Sequence, residues 1–578
     1  MAVNPLFKEF LQQDSYETIA VKLHEVTAGI GEDESPIPDE SEQLRPTFLK
    51  LMKDGPGKVT GHPKVTIVGA GVSGLCAGYE LKKAGFDVTI LEASSRIGGR
   101  VQTFREPAFA PGLHGEGGAM HIPKNHFLLH QYIKDFKLDD QLFKFEMENK
   151  FIYISGYGKK LTYDAFNALL KDAGKTEESK KLLALFPKLN DWEKGYTCDE
   201  LWASATKQVI KEFREVYGPV DLEHIDVQKP KEAYAAITAD YDKYSLRAFL
   251  TERAGWSQDA INLFDLGNAH VVFENGFIKS LKDALLSSND QGGQAKMKQL
   301  QSGMDAVPNA FISPKRGKYS LVDNVIFGAR VREIGIKKVD MQAGQEPVII
   351  EYETNSGFRE TIESDFLILA IPYTAQRGIT KTRNFVPKQE MAIRDVRYVE
   401  VTKILLQYKT RWWEKIFGDN QQGTDGGLVS DLPIRYTMFP KADGNSQFTN
   451  SERGVVMAAY TFEQDATILS ALTPERRIQI AAENLDRIFP EAKSPELLEA
   501  GASQCFPADE LAGGSAFCYF GPGQKTDYLP TMMECDWEDR VFFAGEQASF
   551  THGWIQGAFE AGLRCVQQVA DAARNRPT

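Results

Sequence analysis

Four residues have the types and spacing to hold a phosphate-linked nucleotide. In KVTIVGAGVSGLCAGYELKKAGFDVTILEAS, Gly69, Gly71 and Gly74 follow a short apolar run, Val65 to Val68, and Glu92 ends a second one. The first glycine permits a tight turn. The second lets a pyrophosphate approach the backbone, and the third lets helix pack on strand. The helix that follows points free N–H groups and its positive dipole end at the phosphates. A carboxylate at Glu92 can accept hydrogen bonds from both ribose hydroxyls of an adenosine. The glycine spacing alone is weak. Flanked by a strand, a helix and an acid about twenty residues on, it predicts a dinucleotide site.

Directly after the acid, SSRIGGR supplies Arg96, Gly98, Gly99 and Arg100. Two arginines around a glycine pair can meet a diphosphate. At this point the chain resembles the flavin amine oxidase family, in which R-x-G-G-R follows the ribose acid. FFAGE (542–546) resembles the family's second flavin motif, with Gly545 and with Glu546 as the acid near the ribityl and phosphate groups. ARVREI (329–334) resembles the strand where a valine, here Val331, meets adenine through its backbone. The resemblance implies non-covalent FAD. Cys518 does not match the offset of a covalent attachment site.

Within the family the chain is most like the L-amino-acid oxidases. GEGGAMHIP (115–123) resembles a glycine-rich loop that passes the flavin, through Gly118, Ala119 and Met120. VTKILLQYKTRWWE (401–414) resembles the strand carrying the family lysine, here Lys403. AAYTFEQDA (458–466), with Tyr460, LQSGMDAVPNAF (300–311) and GSAFCYFGPGQ (514–524) fit as well. HGWIQGAFEAG (552–562) is the most specific of these. There Gly553, Trp554 and Ile555 meet the flavin, and Trp554 walls the substrate against it. The implied chemistry is oxidation at a carbon bearing an amine, with the flavin taking the hydride. Lys403 is expected to hold a water for oxygen reactivity or imine hydrolysis. The helix opening near Ile555 is expected to stabilise negative charge on reduced flavin. His552 is expected to be a packing residue.

Three places depart from the family pattern, one being Phe462, which stands where the resemblance implies the tryptophan of Y-T-W. Where its amino-acid oxidases carry a carboxylate-binding arginine, this chain has His121. Where they carry a tyrosine pair, DLPIRYTMFP (431–440) has Met438 and Phe439. Arginine offers two parallel charge-assisted hydrogen bonds, whereas histidine has at most two donors and is charged only when protonated. Four readings follow. The first is an oxidase making 2-oxo acids, ammonia and hydrogen peroxide from L-amino acids, with His121, Phe439, Tyr460 and Trp554 around the substrate. The second is an oxidase of amines or polyamines lacking the carboxylate. The others are a decarboxylating monooxygenase and a flavin-bound scaffold without turnover. Catalytic roles are expected for Lys403, Trp554 and His121.

The elements that must position these residues follow from length and pattern. A chain of 578 residues exceeds one ordinary core. Its net charge of −13 argues against nucleic acid and anionic membranes as partners. No apolar run reaches the roughly 20 residues of a membrane span. Cys76, Cys198, Cys505, Cys518, Cys535 and Cys565 form no CxxC pair and no metal spacing, so free thiols in the cytoplasm are expected. The expected partners are an amino acid and molecular oxygen, and a homodimer or higher homo-oligomer is compatible with the chain.

The resemblance implies an α/β fold: a Rossmann-like FAD-binding domain with an interleaved mixed-sheet substrate domain and a helical insertion. FAD-binding parts are expected at 61–125, 300–335 and 500–578, and substrate parts at 251–299 and 336–499. A helical domain is expected at 126–250. Residues 1–60 are expected to be an extension, with a short amphipathic helix through Ile19, Leu23 and Val26 and then an acidic, proline-broken arm. NKFIYISGYGKKLTY (149–163) predicts a hairpin around a glycine turn.

Overall fold

The computed structural model describes residues 40–145, 149–218, 229–269, 271–288, 297–337, 346–417, 426–440 and 452–575. The expected helix through Ile19 and most of the acidic arm lie outside these residues.

Five short apolar strands form a parallel sheet in the order Val541–Phe543, Phe366–Leu369, Lys64–Val68, Asp87–Glu92, Val325–Phe327. The inner strands Phe366–Leu369 and Lys64–Val68 are buried on both faces apart from Lys64, whereas the edge strand Val325–Phe327 leaves Ile326 and Phe327 exposed. The helices Val72–Ala84 and Ile555–Asn575 share one core cluster with these strands. They touch closely where Gly562 passes Ser73: a Cβ there would lie 2.8 Å from the Ser73 carbonyl oxygen. The strand Phe366–Leu369 corrects one expected boundary. It lies inside the range assigned to the substrate domain, yet it pairs between two strands of the nucleotide sheet. Its sequence, FLIL, is buried at every position, as a central parallel strand requires.

A seven-stranded sheet runs Leu498–Cys505, Val401–Tyr408, Gly454–Phe462, Tyr436–Phe439, Gly426–Ser430, Asn149–Ile154, Lys159–Thr162. All its pairs are antiparallel except that between Gly426–Ser430 and Asn149–Ile154. The hairpin at 149–163 forms as expected but extends this sheet, rather than belonging to the helical region. The helix Pro474–Ile488, capped by the Thr473 hydroxyl, covers one face. The helices Tyr163–Lys171, Cys198–Tyr217 and Gln258–Asn268 pack over the other, in one continuous core with Leu405, Tyr436, Met438, Val455 and Met457. Helix Cys198–Tyr217 starts at a reciprocal cap, Thr197 with Glu200. Among the described residues no helix is long and apolar enough to cross a membrane.

Candidate active site

The nucleotide end is built from backbone. Gly69 follows the first strand with φ of +103°, and its N–H donates to Leu91 O over 2.8 Å, tying turn to second strand. Gly71 precedes helix Val72–Ala84, and no side chain caps that helix. Its first N–H groups are thus left for a ligand. At Gly74 a Cβ would sit 2.0 Å from Gly69 O, so only glycine lets the helix close on the turn. Glu92 accepts from Ala70 N (2.7 Å) on one oxygen and from Ser94 N (2.9 Å) on the other. Each oxygen keeps a lone pair for a ribose hydroxyl.

Gly69, Gly71 and Glu92 line a cavity of about 770 Å³ together with Arg96, Gly98, Gly99, Arg100, Val331, Gly545 and Glu546. Arg96 makes no ion pair among the described residues, and burial holds its guanidinium below the usual arginine range. A diphosphate would relieve that cost. Arg100 donates to Glu546 (2.8 Å) and to Ala516 O (2.9 Å). Glu546 also accepts from Cys518 N and Gly553 N, each at 3.0 Å. Its carboxylate therefore ties Arg100 to the loop that precedes Trp554.

The cavity continues to an aromatic end lined by Val401, Lys403, Tyr460, Gln504, Phe517 and Trp554. Antiparallel register sets Lys403 opposite Tyr460, so both side chains leave the same face of the sheet. The Lys403 nitrogen donates to Gly118 O over 2.7 Å, lies 3.3 Å from Met120 Sδ, and sits 4.6 Å from the Tyr460 ring centre. Burial pushes its pKa down to about 7. The Gly118 loop is strapped in place: Gly117 N and Gly118 N both donate to Gln102 O, and Ala119 N to Arg100 O. A Cβ on Gly118 would meet Arg100 O at 2.0 Å. Trp554 stands at the start of helix Ile555–Asn575, with the His126 ring edge-on at 4.9 Å.

The structure thus gathers most of the expected residues, but four lie off the lining, Gly74 among them because it serves the contact of helix with turn. Phe439 is a correction. Its ring packs among Trp412, Trp413 and Phe489, behind the sheet. Side chains alternate along Tyr436–Phe439, so Tyr436 and Met438 take the cavity side and Phe439 the other. His121 rests against the Phe145 ring, with centroids 4.7 Å apart. Met120 reaches the site only through its sulfur on Lys403. His552 is buried beside Phe520 and its Nε2 donates to Gln547 O over 3.1 Å, a packing position.

Two contributors escaped the sequence reading. Phe517 lies within GSAFCYFGPGQ, where the motif alone does not mark which aromatic lines the cavity. Glu116 sits inside GEGGAMHIP; Thr103 Oγ1 (2.8 Å) and Met304 N (2.9 Å) donate to it, and burial raises its pKa to about 7. An acid between glycines, in a loop already suspected, was the available signal.

The profile of the family described as flavin containing amine oxidoreductase matches residues 72–570, and the chain belongs to that family. Among curated relatives, "Putative L-amino-acid oxidase YobN" of Bacillus subtilis (strain 168) is 29% identical over 529 residues, covering 90% of this chain and 98% of the relative. The L-amino-acid oxidase of Crotalus adamanteus is 28% identical over 532 residues, 91% of each chain. Among solved structures, wild-type putrescine oxidase bound to putrescine superposes with a TM-score of 0.61 at 18% identity, covering 89% of this chain and 99% of that one. Cyclohexylamine oxidase from Brevibacterium oxydans IH-35A gives 0.59 at 17%, with the same coverage. These structures share the fold: a Rossmann-like FAD-binding domain joined to further sheets and helices. The protein is a flavoprotein oxidoreductase that binds FAD non-covalently. Its residues fit that cofactor, with an uncapped helix start, the Glu92 acceptor, the unpaired Arg96 and a cavity reaching Lys403.

Proposed function

We propose that the chain is an FAD-dependent oxidase converting L-amino acids, oxygen and water to 2-oxo acids, ammonia and hydrogen peroxide. The chemistry supplied by bound FAD is acceptance of the hydride from the α-carbon, with oxygen as final oxidant. The observation carrying an oxidase reading is the closure of the cofactor cavity by Lys403, Tyr460, Phe517 and Trp554. Aromatic walls exclude bulk water and hold a narrow substrate flat. Lys403, with its pKa near 7, can exchange a proton with a water or with the substrate nitrogen near neutral pH. The amino-acid reading is supported by relatives that cover nine-tenths of the chain. Six free thiols support a cytoplasmic location.

A second reading, oxidation of amines without a carboxylate, has one observation in its favour. Among the lining residues Arg96, Arg100, Arg330 and Arg332 are the arginines, and all flank nucleotide motifs. Lys403 is the cation of the aromatic end. Peroxide release screened over the twenty L-amino acids, their D-forms and common mono- and diamines separates the readings. Turnover of L-amino acids is expected. Turnover confined to amines would replace the first reading with the second.

A further inference from the structure

The residues before the first strand touch the site through one acid. Glu40 lies in a 3₁₀ turn, Glu40–Leu44, far in sequence from every cavity residue, yet it is buried. Both of its oxygens accept from Lys525 (2.9 and 2.8 Å), and one accepts from Lys282 at 3.3 Å. The three side chains are only 8%, 15% and 6% exposed. Lys525 belongs to helix Gln524–Met532 and Lys282 to helix Phe277–Ser288. Glu40 therefore joins two elements that do not share a sheet.

The chain of contacts continues to the substrate wall. The Lys282 nitrogen donates to Phe550 O over 2.6 Å. Phe550 N donates to Glu560 (3.3 Å), and Thr551 Oγ1 donates to the same carboxylate (2.8 Å). Gly553 N donates to Glu546, and Trp554 follows. The loop from Ser549 to Gly553 is thus held at one end by Lys282 and at the other by Glu546. Two ammonium groups share one carboxylate, and the Phe550 carbonyl supports the second. Without Glu40, two buried ammonium groups, each 5.7 Å from the Tyr234 ring centre, would be left side by side. Breaking a buried ion pair by removing one partner is strongly destabilising locally, because the remaining charge is left uncompensated.

We propose that Glu40 is a positioning residue for the substrate wall. Through Lys282 it fixes the 549–553 loop and so the stance of Trp554 over the cofactor cavity. The segment preceding the nucleotide domain is thereby part of the active-site support. The inference rests on the oxidase reading for its kinetic arm but not for its structural arm.

The test uses the FAD-loaded full chain. Hydrogen–deuterium exchange of the 549–553 amides is followed in Glu40→Gln, Lys282→Met and Lys525→Met, beside kcat and KM for the best substrate. Glu40→Gln and Lys282→Met should speed exchange of this loop about tenfold or more. Exchange in strand Lys64–Val68 and FAD content should not change. The same two variants should raise KM and lower kcat together, since a wall residue has shifted. Lys525→Met leaves Glu40 and Lys282 as a matched pair, so its loop should exchange within about twofold of the parent. The inference is overturned if Glu40→Gln leaves loop exchange unchanged. It is equally overturned if Lys525→Met frees the loop as much, since the cluster would then act as general packing. Absence of peroxide from every amine tested would sink the oxidase reading but leave the exchange result interpretable.

Discussion

Lys403 donates to the carbonyl oxygen of Gly118 over 2.7 Å, across two segments 285 residues apart in sequence. This bond joins the seven-stranded sheet to the loop whose amides donate to Arg100 O and Gln102 O. It also fixes the amine where the aromatic end of the cavity begins. Replacing the amine by an uncharged thioether of similar length keeps the packing but removes the donor. Lys403→Met should retain FAD and slow either flavin reduction or reoxidation by at least about a hundredfold, the scale of a lost proton-transfer group. Stopped-flow absorbance resolves the two half-reactions. Unchanged rates in both would make Lys403 a structural residue.

The charge of Lys403 answers to Glu116. Burial lowers the lysine to about 7 and raises the acid to about 7, while the negative carboxylate works to keep Lys403 protonated. Removing that negative charge makes Lys403 easier to deprotonate. If neutral Lys403 is the working form, the rate rises as pH increases through its pKa. Glu116→Gln should then move this acid limb to lower pH by about one unit, as for removal of a nearby opposite charge. The two groups titrate together, so the parent profile reports the pair. A pH–rate profile of flavin reduction in both proteins checks the sign, and a shift to higher pH contradicts the coupling.

Glu92 holds the Ala70 and Ser94 amides while facing the cavity. Glu92→Ala should weaken FAD affinity by about tenfold or more, the worth of one hydrogen bond to a charged group. Fluorescence titration of the apoprotein measures it. Glu92→Gln, which keeps one acceptor oxygen, should fall between. Equal affinity in all three proteins would remove Glu92 from the cofactor site.

The nucleotide end was legible because local sequence dictates it: a turn that only glycine allows must be spelled within a few residues. The Lys403–Tyr460 pair was legible only as two separate resemblances. Their contact needs the register of two strands, and register is not written in either one alone. Phe439 was misassigned for a related reason. Which side of a strand faces the cavity depends on pairing, and one residue decides it: Met438 faces inward and Phe439 outward. The strand Phe366–Leu369 went to the wrong sheet because an apolar tetrapeptide does not name its neighbours. Glu40 lay in a segment that reads as a solvated arm, and nothing local distinguishes a buried acid from an exposed one.

Trp554 lines the cavity at the start of helix Ile555–Asn575, braced by the His126 edge. Trp554→Ala should keep FAD and the fold while raising KM and lowering kcat. Misplacement of a reacting carbon by about 1 Å can cost on the order of a hundredfold. Trp554→Phe should recover most of the loss, since a flat wall remains. Thermal unfolding with FAD release controls for stability, and intact kinetics in the alanine variant would refute the role.

The last expectation concerns what holds a substrate carboxylate. His121 was the sequence candidate, but its ring lies against Phe145 and outside the cavity lining. Tyr460 does line the cavity, and burial pushes its phenol well above the usual range, so it stays a donor across working pH. A hydrogen bond from a neutral hydroxyl to a carboxylate is charge-assisted and contributes about 1.5–3 kcal/mol, or roughly tenfold to a hundredfold in binding. Tyr460→Phe keeps the ring beside Lys403 and deletes only the hydroxyl. It should therefore raise KM for an L-amino acid about tenfold while leaving an amine of the same side chain within about threefold. His121→Ala should change both substrates by less than about threefold. A tenfold rise for the amino acid alone in His121→Ala would return the anchor to the imidazole, swung into the cavity when substrate binds. If neither variant separates the two substrates, the carboxylate has no dedicated partner here, and the amine reading gains the ground.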